Sequence, residues 1–441
     1  MMKNQNVEGG DKMYYFIGIK GAGMSALAVI LKQLGYEVMG SDIDKHFFTE
    51  AELINNDIPF YGYNENNIKE EFIIIKGASI KEDNVELRKA RELNLKILEY
   101  NEMVGELTKQ FKTICIAGCH GKTTTTNMFS LAFRNQGVSY LIGDGTGSAK
   151  KENTYFALES CEYKRHFLAY HPYIAVITNI DLDHVDYFKD IDDVIDAYTS
   201  YASNAQKCIV AYGDDPYTRK MKVEKPIIFY GLEENNDVIA TNVEYKSDGI
   251  SFDIDGYGHF DLPLYGKHQL LDCLAVITVC IEENIPYKEV LNNLKDFVGA
   301  RRRFTETIVG NNVIIDDYAH HPNEVKATIE AIRQKYADKK LVVIFQPHTF
   351  SRTEEFAEDL VEVFNMADAS YLLDIHPARE KQEDYPDINS DMIIKKLNNG
   401  YHINMDEAEK LKHYENTVFA FMSPNDVSKL EKDLENILNI D

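Results

Sequence analysis

The stretch TICIAGCHGKTTTT, residues 113–126, constrains the fold of this chain more than any other. An apolar run predicts a buried strand, a turn with Gly118 and Gly121 follows, and Lys122 with four threonines opens a helical pattern. Glycines let a backbone approach a phosphate, and the free N–H groups at a helix start attract anions. The spacing G-x-x-G-K-T is two residues shorter than the standard phosphate loop, so an ordinary strand–turn–helix with threonine capping is the alternative.

Strands and helical patterns alternate along the chain and restart twice. The 441 residues suggest about three domains at roughly 150 residues each. Strand–helix alternation predicts an α/β fold with parallel, doubly wound sheets. We expect three units at residues 13–107, 108–304 and 305–441. The segment 238–266 instead alternates apolar and polar residues between Gly and Asp turns, which predicts a small antiparallel insertion in the central unit.

Composition excludes several classes of function. A net charge of −25 argues against nucleic-acid binding, which relies on basic surfaces. Apolar runs stay below the ~18 residues of a membrane span, so we expect no membrane insertion. The polar start MMKNQNVEGGDK lacks the apolar core of a secretory signal, and the six cysteines form no C-x-x-C pair. These features favour a cytoplasmic protein without disulfides.

Acidic residues and a histidine follow two later predicted strands. FALESCEYKRHFL offers Glu159 and Glu162, and TNIDLDHVDYF offers Asp181, His184 and Asp186, among others. A nucleotide triphosphate site needs hard oxygen ligands for Mg²⁺, and ligands gather beyond the carboxyl ends of parallel strands. Each segment alone would more often be a solvated acidic face. Their place after a phosphate loop favours a magnesium site.

A second glycine loop, GIKGAG, follows the first predicted strand, and Asp42 lies about 20 residues further on. This pattern suggests a dinucleotide fold. The order is G-x-x-G-x-G, however, because Lys20 occupies the second glycine position of the dinucleotide fingerprint. A nicotinamide-dependent oxidoreductase is therefore the weakest of the alternatives.

Five motifs together resemble the Mur ligase family: GCHGKTTTT, ITNIDLDHVDYF, GARRRFTE, IDDYAHHPNEV and IFQPHTFSRT. The family uses the shorter G-x-x-G-K-T/S loop. The resemblance implies a Rossmann-like UDP-binding domain, a central P-loop ATPase-type domain and a C-terminal Rossmann-like domain. It also implies ATP and Mg²⁺ as cofactors, and ligation of L-alanine to the carboxylate of UDP-N-acetylmuramate through an acyl phosphate. Closure of the last domain would assemble the site.

The resemblance assigns roles by motif position. It implies magnesium ligation by Thr123, Glu162 and His184. Catalytic roles fall on Lys122, Glu162, His184, Arg303, His320 and Arg352, with Arg352 on the carboxylate of the amino acid. Nucleotide contacts fall on Gly118, His120, Gly121, Lys122, Thr123, Thr124, Gln269, Arg302, Asp317 and Tyr318. UDP-sugar contacts fall on Gly18, Gly21, Gly23, Met24, Ser41, Asp42 and Ser79.

The sequence also departs from the family pattern. Cys119 stands where a Thr is common, Ser160 and Cys161 replace Ala-Asp, and Gln269 and Asp272 replace two Asn residues. Asp272 thereby loses an amide donor. Two further hypotheses therefore stay open: a Mur-type ligase for another amino acid or a recycled peptide, and a UDP-sugar-binding paralogue with altered catalysis. The sequence leaves the oligomeric state and the choice between L-Ala, L-Ser and Gly open.

Overall fold

A computed structural model describes residues 12–184, 187–300 and 302–439 of the chain. Most of the polar start and Asp186, a candidate metal ligand, lie outside the described residues. The chain divides into two compact units. Unit 1 comprises the chain up to Ala240 together with Asp272–Asp296, and unit 2 comprises Thr241–Leu271 and the chain from Phe297 onward.

The first sheet of unit 1 is five-stranded and parallel, in the order β3-β2-β1-β4-β5. Its strands are β1 (Met13–Ile17), β2 (Glu37–Asp42), β3 (Phe60–Gly62), β4 (Phe72–Lys76) and β5 (Ile97–Glu99). Its helices are α1 (Ala22–Gln33), α2 (Glu50–Asn55), α3 (Val85–Glu92) and α4 (Tyr100–Thr108). The apolar run of β1 is buried and pairs with both β2 and β4, so the loop after it emerges at the centre of one sheet edge.

The second sheet of unit 1 places the phosphate-loop strand between two neighbours, in the order β12-β11-β10-β6-β9-β7-β8. Its strands are β6 (Lys112–Ala117), β7 (Val138–Leu141), β8 (Gly147–Ser148), β9 (Tyr155–Glu159), β10 (Ile174–Ile177), β11 (Cys208–Tyr212) and β12 (Ile227–Gly231). The helices around it are α5 (Lys122–Ala132) and α6 (Ile191–Ser203). Because β9, β6 and β10 run parallel side by side, the segments that follow them meet at one edge.

Five further elements follow β12 before the main sheet of unit 2. They are β13 (Val238–Lys246), β14 (Gly249–Ile254), β15 (Gly258–Leu262), α7 (Gly266–Glu282) and α8 (Tyr287–Leu294). The start of β13 pairs in parallel with β12, and β14 pairs with β15 in antiparallel register. The predicted antiparallel strands are therefore present, and they lie in unit 2.

The main sheet of unit 2 has the order β16-β17-β21-β18-β19-β20. Its strands are β16 (Thr305–Val309), β17 (Asn312–Asp317), β18 (Lys340–Phe345), β19 (Ala369–Leu372), β20 (Gly400–His402) and β21 (Thr417–Met422). Its helices are α9 (Pro322–Lys335), α10 (Phe350–Glu355), α11 (Ala357–Phe364), α12 (Asp391–Ile394) and α13 (Ser428–Leu438). Among the described pairings of this sheet, only β16–β17 is antiparallel, so β17, β18, β19 and β21 end at one edge.

The predicted fold class is confirmed: the chain has an α/β fold with three mainly parallel sheets, and three Mur ligase domains follow one another along the sequence. The boundaries at 107/108 and 304/305 stay predictions. Among the helices of the described residues, none has both the length and the apolar character needed to cross a membrane.

Candidate functional site

The phosphate loop joins β6 to α5, as the sequence predicts. Gly121 has φ +83, and a Cβ atom there would lie 2.3 Å from Oδ1 of Asp272. At Gly118, a Cβ atom would lie 1.9 Å from Oγ1 of Thr178. Both positions therefore require glycine, since a side chain would collide with the packed neighbour. The turn brings the backbone N–H groups of the α5 start to the sheet edge.

Residues at the end of β10 hold this loop in place. The backbone N–H of His120 donates to Oδ1 of Asn179 at 2.9 Å. Its carbonyl accepts from the Thr178 hydroxyl at 2.6 Å and from the Asn179 amide at 2.9 Å. The His120 ring lies 3.4 Å from a carboxylate oxygen of Asp181. The loop is thus fixed from the next strand before any ligand arrives.

Lys122, the first residue of α5, pairs with Glu162. Its Nζ lies 3.1 Å and 3.3 Å from the two carboxylate oxygens of Glu162 and also donates to the carbonyls of Gly118 and Cys119. Glu162 is only 2% exposed. Burial has the largest single effect and lowers the pKa of Lys122, but Glu162 and the nearby Cys161, Glu159 and Cys119 together raise it further, so the net shift is upward. Burial raises the pKa of Glu162, but Lys122 and His184 lower it more. Both groups are therefore charged.

Thr123 binds the carboxylate of Glu159 at the end of β9, a candidate of the predicted magnesium site to which the family resemblance assigns no role. The Thr123 hydroxyl donates to Oε2 of Glu159 at 2.9 Å, and the backbone N–H of Gly143 donates to the same oxygen at 2.7 Å. Thr124, the next residue of α5, is buried in the helix. The sequence signal for Glu159 is its position at the end of a predicted strand that follows the phosphate loop.

His184 lies beside the buried carboxylate. Its Nε2 is 3.5 Å from Oε1 of Glu162, and its ring packs against Tyr163 at 4.8 Å between centroids. The backbone of this segment is anchored at Ile180, whose N–H donates to the buried Asp215 at 2.7 Å. The geometry thus brings the three predicted metal ligands, Thr123, Glu162 and His184, to one sheet edge.

The donor set suits a divalent cation. Hydroxyl and carboxylate oxygens such as those of Thr123, Glu159 and Glu162 are the hard ligands that Mg²⁺ prefers, and the His184 imidazole lies beside Glu162. The buried Glu162 carboxylate needs a cation beside it, and in this structure Lys122 supplies that charge. The residues present therefore fit Mg²⁺.

Cys119, a departure from the family pattern, is buried within the loop. Its Sγ donates to the carbonyl of Asp181 at 3.0 Å and accepts from the Asp181 N–H at 3.1 Å. Burial raises the pKa of this thiol well above its usual range, so the thiolate is disfavoured. The side chain therefore acts as a structural link between the phosphate loop and the segment after β10.

The first glycine loop joins β1 to α1. Gly18 has φ +87, Gly21 is the N-cap of α1, and a Cβ atom on Gly23 would lie 2.9 Å from the Tyr100 hydroxyl. Met24 is buried in the first turn of α1, and Ser79 is exposed in the loop after β4. Because β1 and β4 are parallel neighbours, these residues share one sheet edge.

The other two residues predicted to contact the UDP-sugar, Ser41 and Asp42, form hydrogen bonds with other residues of the protein. The Ser41 hydroxyl is fully buried and donates to the carboxylate of Glu86. Asp42 accepts from the backbone N–H of Lys20 at 2.8 Å. Lys20 is itself buried and pairs with Glu50 at 2.8 Å. Ser41 and Asp42 therefore support the loop, and direct contact with a ligand stays a prediction for them.

In unit 2 the two adjacent arginines differ. Arg302 is engaged by its own unit, since its guanidinium donates to Asp316 at 3.1 Å and to the carbonyls of Ser423 and Asn425 at 2.7 Å and 2.9 Å. Arg303 lies over the ring of Tyr318 at 4.8 Å and forms no ion pair with a carboxylate of the described residues. Arg303 is thus the arginine that remains available for an anionic ligand.

Asp317 lies at the end of β17 and holds the chain around Arg303. Its carboxylate accepts from the backbone N–H groups of Phe304 at 2.9 Å and Ala319 at 2.8 Å. Burial raises the pKa of Asp317 to about 6, although Arg303 opposes the shift. The next residue, Tyr318, is 36% exposed. Asp317 therefore shapes this edge, and Tyr318 presents a ring to solvent.

A cavity of about 240 Å³ lies beside Arg303 within unit 2. The rings of Tyr265 and Phe304 in its wall are nearly parallel, with centroids 5.9 Å apart. The Gln269 amide oxygen accepts from the Tyr265 N–H at 3.0 Å, which leaves its NH₂ group as a donor. The remaining lining residues are Pro263, Phe297, Val298, Gly299, Glu306 and Lys335. Flat apolar walls with a few polar groups are typical of a small-molecule site.

The segments after β17 and β18 carry the predicted acceptor residues. His320 contacts the Glu324 carboxylate at 3.1 Å, and its ring lies 6.2 Å from that of His348. Arg352 lies on α10, four residues beyond His348. Burial and the nearby His320 and Arg352 lower the pKa of His348 to about 4, so its imidazole is neutral at pH 7. His348 stands inside the quoted motif IFQPHTFSRT, and sequence reasoning gave it no role.

Three family models match the sequence. The Mur ligase family catalytic domain matches residues 13–112, the Mur ligase middle domain matches residues 116–280, and the Mur ligase glutamate ligase domain matches residues 302–426. Together they span most of the chain.

Solved structures share the fold over nearly the full length. A UDP-N-acetylmuramate–alanine ligase from Thermotoga maritima aligns with a TM-score of 0.80 and 23% identity, over 97% of this chain and 100% of that one. A murein peptide ligase from Psychrobacter arcticus aligns with a TM-score of 0.71 and 18% identity, over 97% and 99%. A MurF ligase from Thermotoga maritima in complex with ADP aligns with a TM-score of 0.64 and 16% identity, over 98% of both chains.

Proposed function

This chain belongs to the Mur ligase family of ATP-dependent ligases, and we propose that it joins L-alanine to the carboxylate of UDP-N-acetylmuramate in the synthesis of peptidoglycan precursors. A carboxylate is a poor acyl donor, so it must first gain a leaving group. One carboxylate oxygen attacks the γ-phosphorus of ATP, and ADP leaves. The amine of L-alanine then attacks the acyl carbon, and phosphate leaves with that oxygen to give the amide.

The observation that carries this proposal is the charged pair formed by Lys122 of the phosphate loop and Glu162 of the connection after β9. Two anions, a carboxylate and a triphosphate, have to approach each other, and this requires cations and backbone donors. Lys122 and the N–H groups of the α5 start supply them beside a buried carboxylate that can hold a metal. A ligand phosphate on Lys122 and a cation on Glu162 would satisfy both charges at once.

We assign Thr123, Glu159, Glu162 and His184 to Mg²⁺ binding. When bound, Mg²⁺ neutralises phosphate charge and polarises the phosphoryl group. The chain's own contribution is to hold the ligands still: Gly143 fixes Glu159, and Asp215 fixes the backbone at Ile180 before His184. The Lys122 ammonium would orient the phosphates.

In unit 2 we assign the cavity beside Arg303 to the nucleotide base. The parallel rings of Tyr265 and Phe304 offer an apolar wall, and the Gln269 NH₂ group offers a donor. We assign the transferred phosphate to Arg303 rather than to Arg302, because Arg302 is engaged by Asp316 and two carbonyls. Asp317 would then position Arg303 through the backbone of Phe304, and Tyr318 would present its ring to the nucleotide.

We assign the amino acid to His320, His348 and Arg352. An arginine guanidinium binds a carboxylate with paired hydrogen bonds. The neutral imidazole of His348 can accept a hydrogen bond from the amine. We assign UDP-sugar binding to the loop of Gly18, Gly21 and Gly23 at the start of α1, because its backbone N–H groups suit a diphosphate.

One experiment tests this function. The protein is incubated with ATP, Mg²⁺ and UDP-N-acetylmuramate, and phosphate release is measured with L-Ala, L-Ser or Gly. We expect release that depends on the amino acid and is fastest with L-Ala. A murein peptide ligase, the activity of the Psychrobacter relative, would instead require a peptide acceptor, so a tripeptide arm separates the two. No phosphate with any amino acid would refute the proposal.

A further inference from the structure

The segment 374–380 follows β19 and runs beside the segment that carries the predicted acceptor residues. The two segments pair as a short parallel bridge at His348 and His376. The His376 N–H donates to the Pro347 carbonyl at 2.9 Å, and the Thr349 N–H donates to the His376 carbonyl at 2.9 Å. The path of the chain just before Arg352 is thus set by segment 374–380.

Glu380 at the end of this segment holds the first turn of α10. Its carboxylate accepts from the backbone N–H of Phe350 at 2.6 Å, from the N–H of Ser351 at 3.1 Å and from the Ser351 hydroxyl at 2.5 Å. The first N–H groups of a helix have no partner within it. Glu380, in the connection after β19, supplies that partner for Phe350 and Ser351. Arg352 directly follows Ser351 in the same helical turn.

Thr349 shows how firmly this turn is constrained. It has φ +63 and ψ 147, a conformation that is almost confined to glycine. Besides the bond to His376, its carbonyl accepts from the Thr353 hydroxyl at 2.7 Å, and its Oγ1 accepts from the Arg352 N–H at 3.4 Å. Such strain persists only when surrounding contacts over-determine the backbone, and it concentrates at functional sites.

The side chain of His376 also contacts this turn. Its ring stacks on that of His348, with centroids 5.8 Å apart and planes 6° apart. The other neighbour of His348 is the His320 ring, which meets it edge-on at 6.2 Å. His376 therefore fixes the plane of the His348 imidazole.

We propose that Glu380 and His376 are positioning residues for the amino-acid acceptor: Glu380 aims Arg352 through the α10 turn, and His376 sets the plane of His348. This inference rests on the proposed function, in which Arg352 binds the acceptor carboxylate. Neither residue touches substrate. Their loss should therefore weaken the use of the amino acid and leave acyl phosphate formation intact.

The test compares Glu380→Ala with Glu380→Gln. The KM values for L-Ala, ATP and UDP-N-acetylmuramate are measured, and acyl phosphate is trapped with hydroxylamine in the absence of amino acid. Loss of the cap should raise the KM for L-Ala about tenfold in Glu380→Ala. The amide oxygen of Gln still accepts a backbone N–H, so Glu380→Gln should show a smaller rise. Trapped acyl phosphate should match the wild type in both.

A second pair of variants tests His376 independently. His376→Ala should raise the KM for L-Ala, and His376→Phe should restore it, because a planar ring can stack on His348 again. Glu383→Gln, an exposed carboxylate three residues beyond Glu380, is the matched control and should leave all constants unchanged. The His376 pair carries the test if Glu380→Ala fails to fold.

Two results would overturn the inference. One is an unchanged KM for L-Ala in Glu380→Ala and His376→Ala. The other is an equal rise of all three KM values with loss of acyl phosphate, which indicates a general structural role. Failure of the proposed function is distinct, because then the wild type itself would yield no trapped acyl phosphate, and both ideas would fall together.

Discussion

The ammonium of Lys122 lies 3.1 Å from the carboxylate of Glu162, and the carboxylate is almost completely buried. Both residues lie in connections of the second sheet of unit 1: Lys122 follows β6, and Glu162 follows β9. Two charges in one buried place are tolerated because they compensate each other. The pair therefore links the stability of the chain to the site that we assign to phosphate and metal.

Lys122→Ala should abolish turnover and also destabilise the protein. Removal of one partner leaves the Glu162 carboxylate buried without the ammonium, which costs about 3 kcal/mol. We expect binding of UDP-N-acetylmuramate to persist, because the first glycine loop lies on another sheet. Denaturant unfolding, phosphate release and calorimetric titration with the UDP-sugar measure the three effects.

Glu162→Gln in the Lys122→Ala background is the control. It removes the uncompensated charge, so the double variant should be more stable than Lys122→Ala alone, while both remain inactive. Equal stability of the single and double variants would show that the pair is not coupled as described.

Asp272→Asn should tighten ATP binding. A Cβ atom on Gly121 would lie 2.3 Å from Oδ1 of Asp272, so this carboxylate packs directly on the phosphate loop. A negative charge there opposes a triphosphate, and its removal should lower the KM for ATP about fivefold. Asp296→Asn, an exposed residue at the other end of the same unit 1 segment, should have no effect. A higher KM in Asp272→Asn would mean that the carboxylate helps nucleotide binding.

The buried carboxyl of Asp317 should make stability depend on pH. Burial raises its pKa to about 6, above the value near 3.9 of an unfolded chain. A group with a raised pKa takes up a proton on folding, so its contribution is fully present below about pH 4. It is lost as the pH rises through 6, and it reaches about 3 kcal/mol at most.

Asp317→Asn removes this titration. The gain in unfolding free energy between pH 7 and pH 5 should therefore be larger in the wild type than in the variant, while exposed Asp338→Asn should behave as the wild type. Denaturant unfolding at the two pH values measures the difference. The same gain in all three proteins would exclude Asp317 as its source.

Cys119→Thr should be tolerated. The thiol donates to the Asp181 carbonyl and accepts from the Asp181 N–H, and a threonine hydroxyl can do both. We expect the KM for ATP to stay within about twofold of the wild type, since no charge or backbone bond changes. Loss of ATP binding in this variant would reveal a role of the thiol that its contacts do not explain.

Local sequence signals predicted the parts of the site that depend on chain direction. Glycine spacing placed the phosphate loop, and apolar runs placed β6, β9 and β10, whose carboxyl ends must share an edge in a parallel sheet. The alternation of strand and helix patterns predicted the fold class. The resemblance to the Mur ligase family predicted the function of each of the three domains. Glu162 and His184 came from their positions just beyond two of these strands.

Contacts between distant segments lay beyond sequence reasoning. Adjacent arginines look alike in GARRRF, and only the packing of Arg302 against Asp316 and Ser423 distinguishes it from Arg303. The resemblance assigns Ser41 of GSD to the UDP-sugar, but its hydroxyl is buried against Glu86, which lies 45 residues away. Glu380 is remote from α10 in sequence, and its role depends on the pairing of β18 with β19.

The transfer of oxygen from the carboxylate to phosphate tests the central claim most directly. UDP-N-acetylmuramate labelled with ¹⁸O in its carboxylate is incubated with ATP, Mg²⁺, L-Ala and the protein. The ¹⁸O content of each product is then measured by mass spectrometry. An acyl phosphate route predicts one ¹⁸O in inorganic phosphate for each amide formed. Unlabelled phosphate, or ¹⁸O found in AMP, would contradict the proposed reaction.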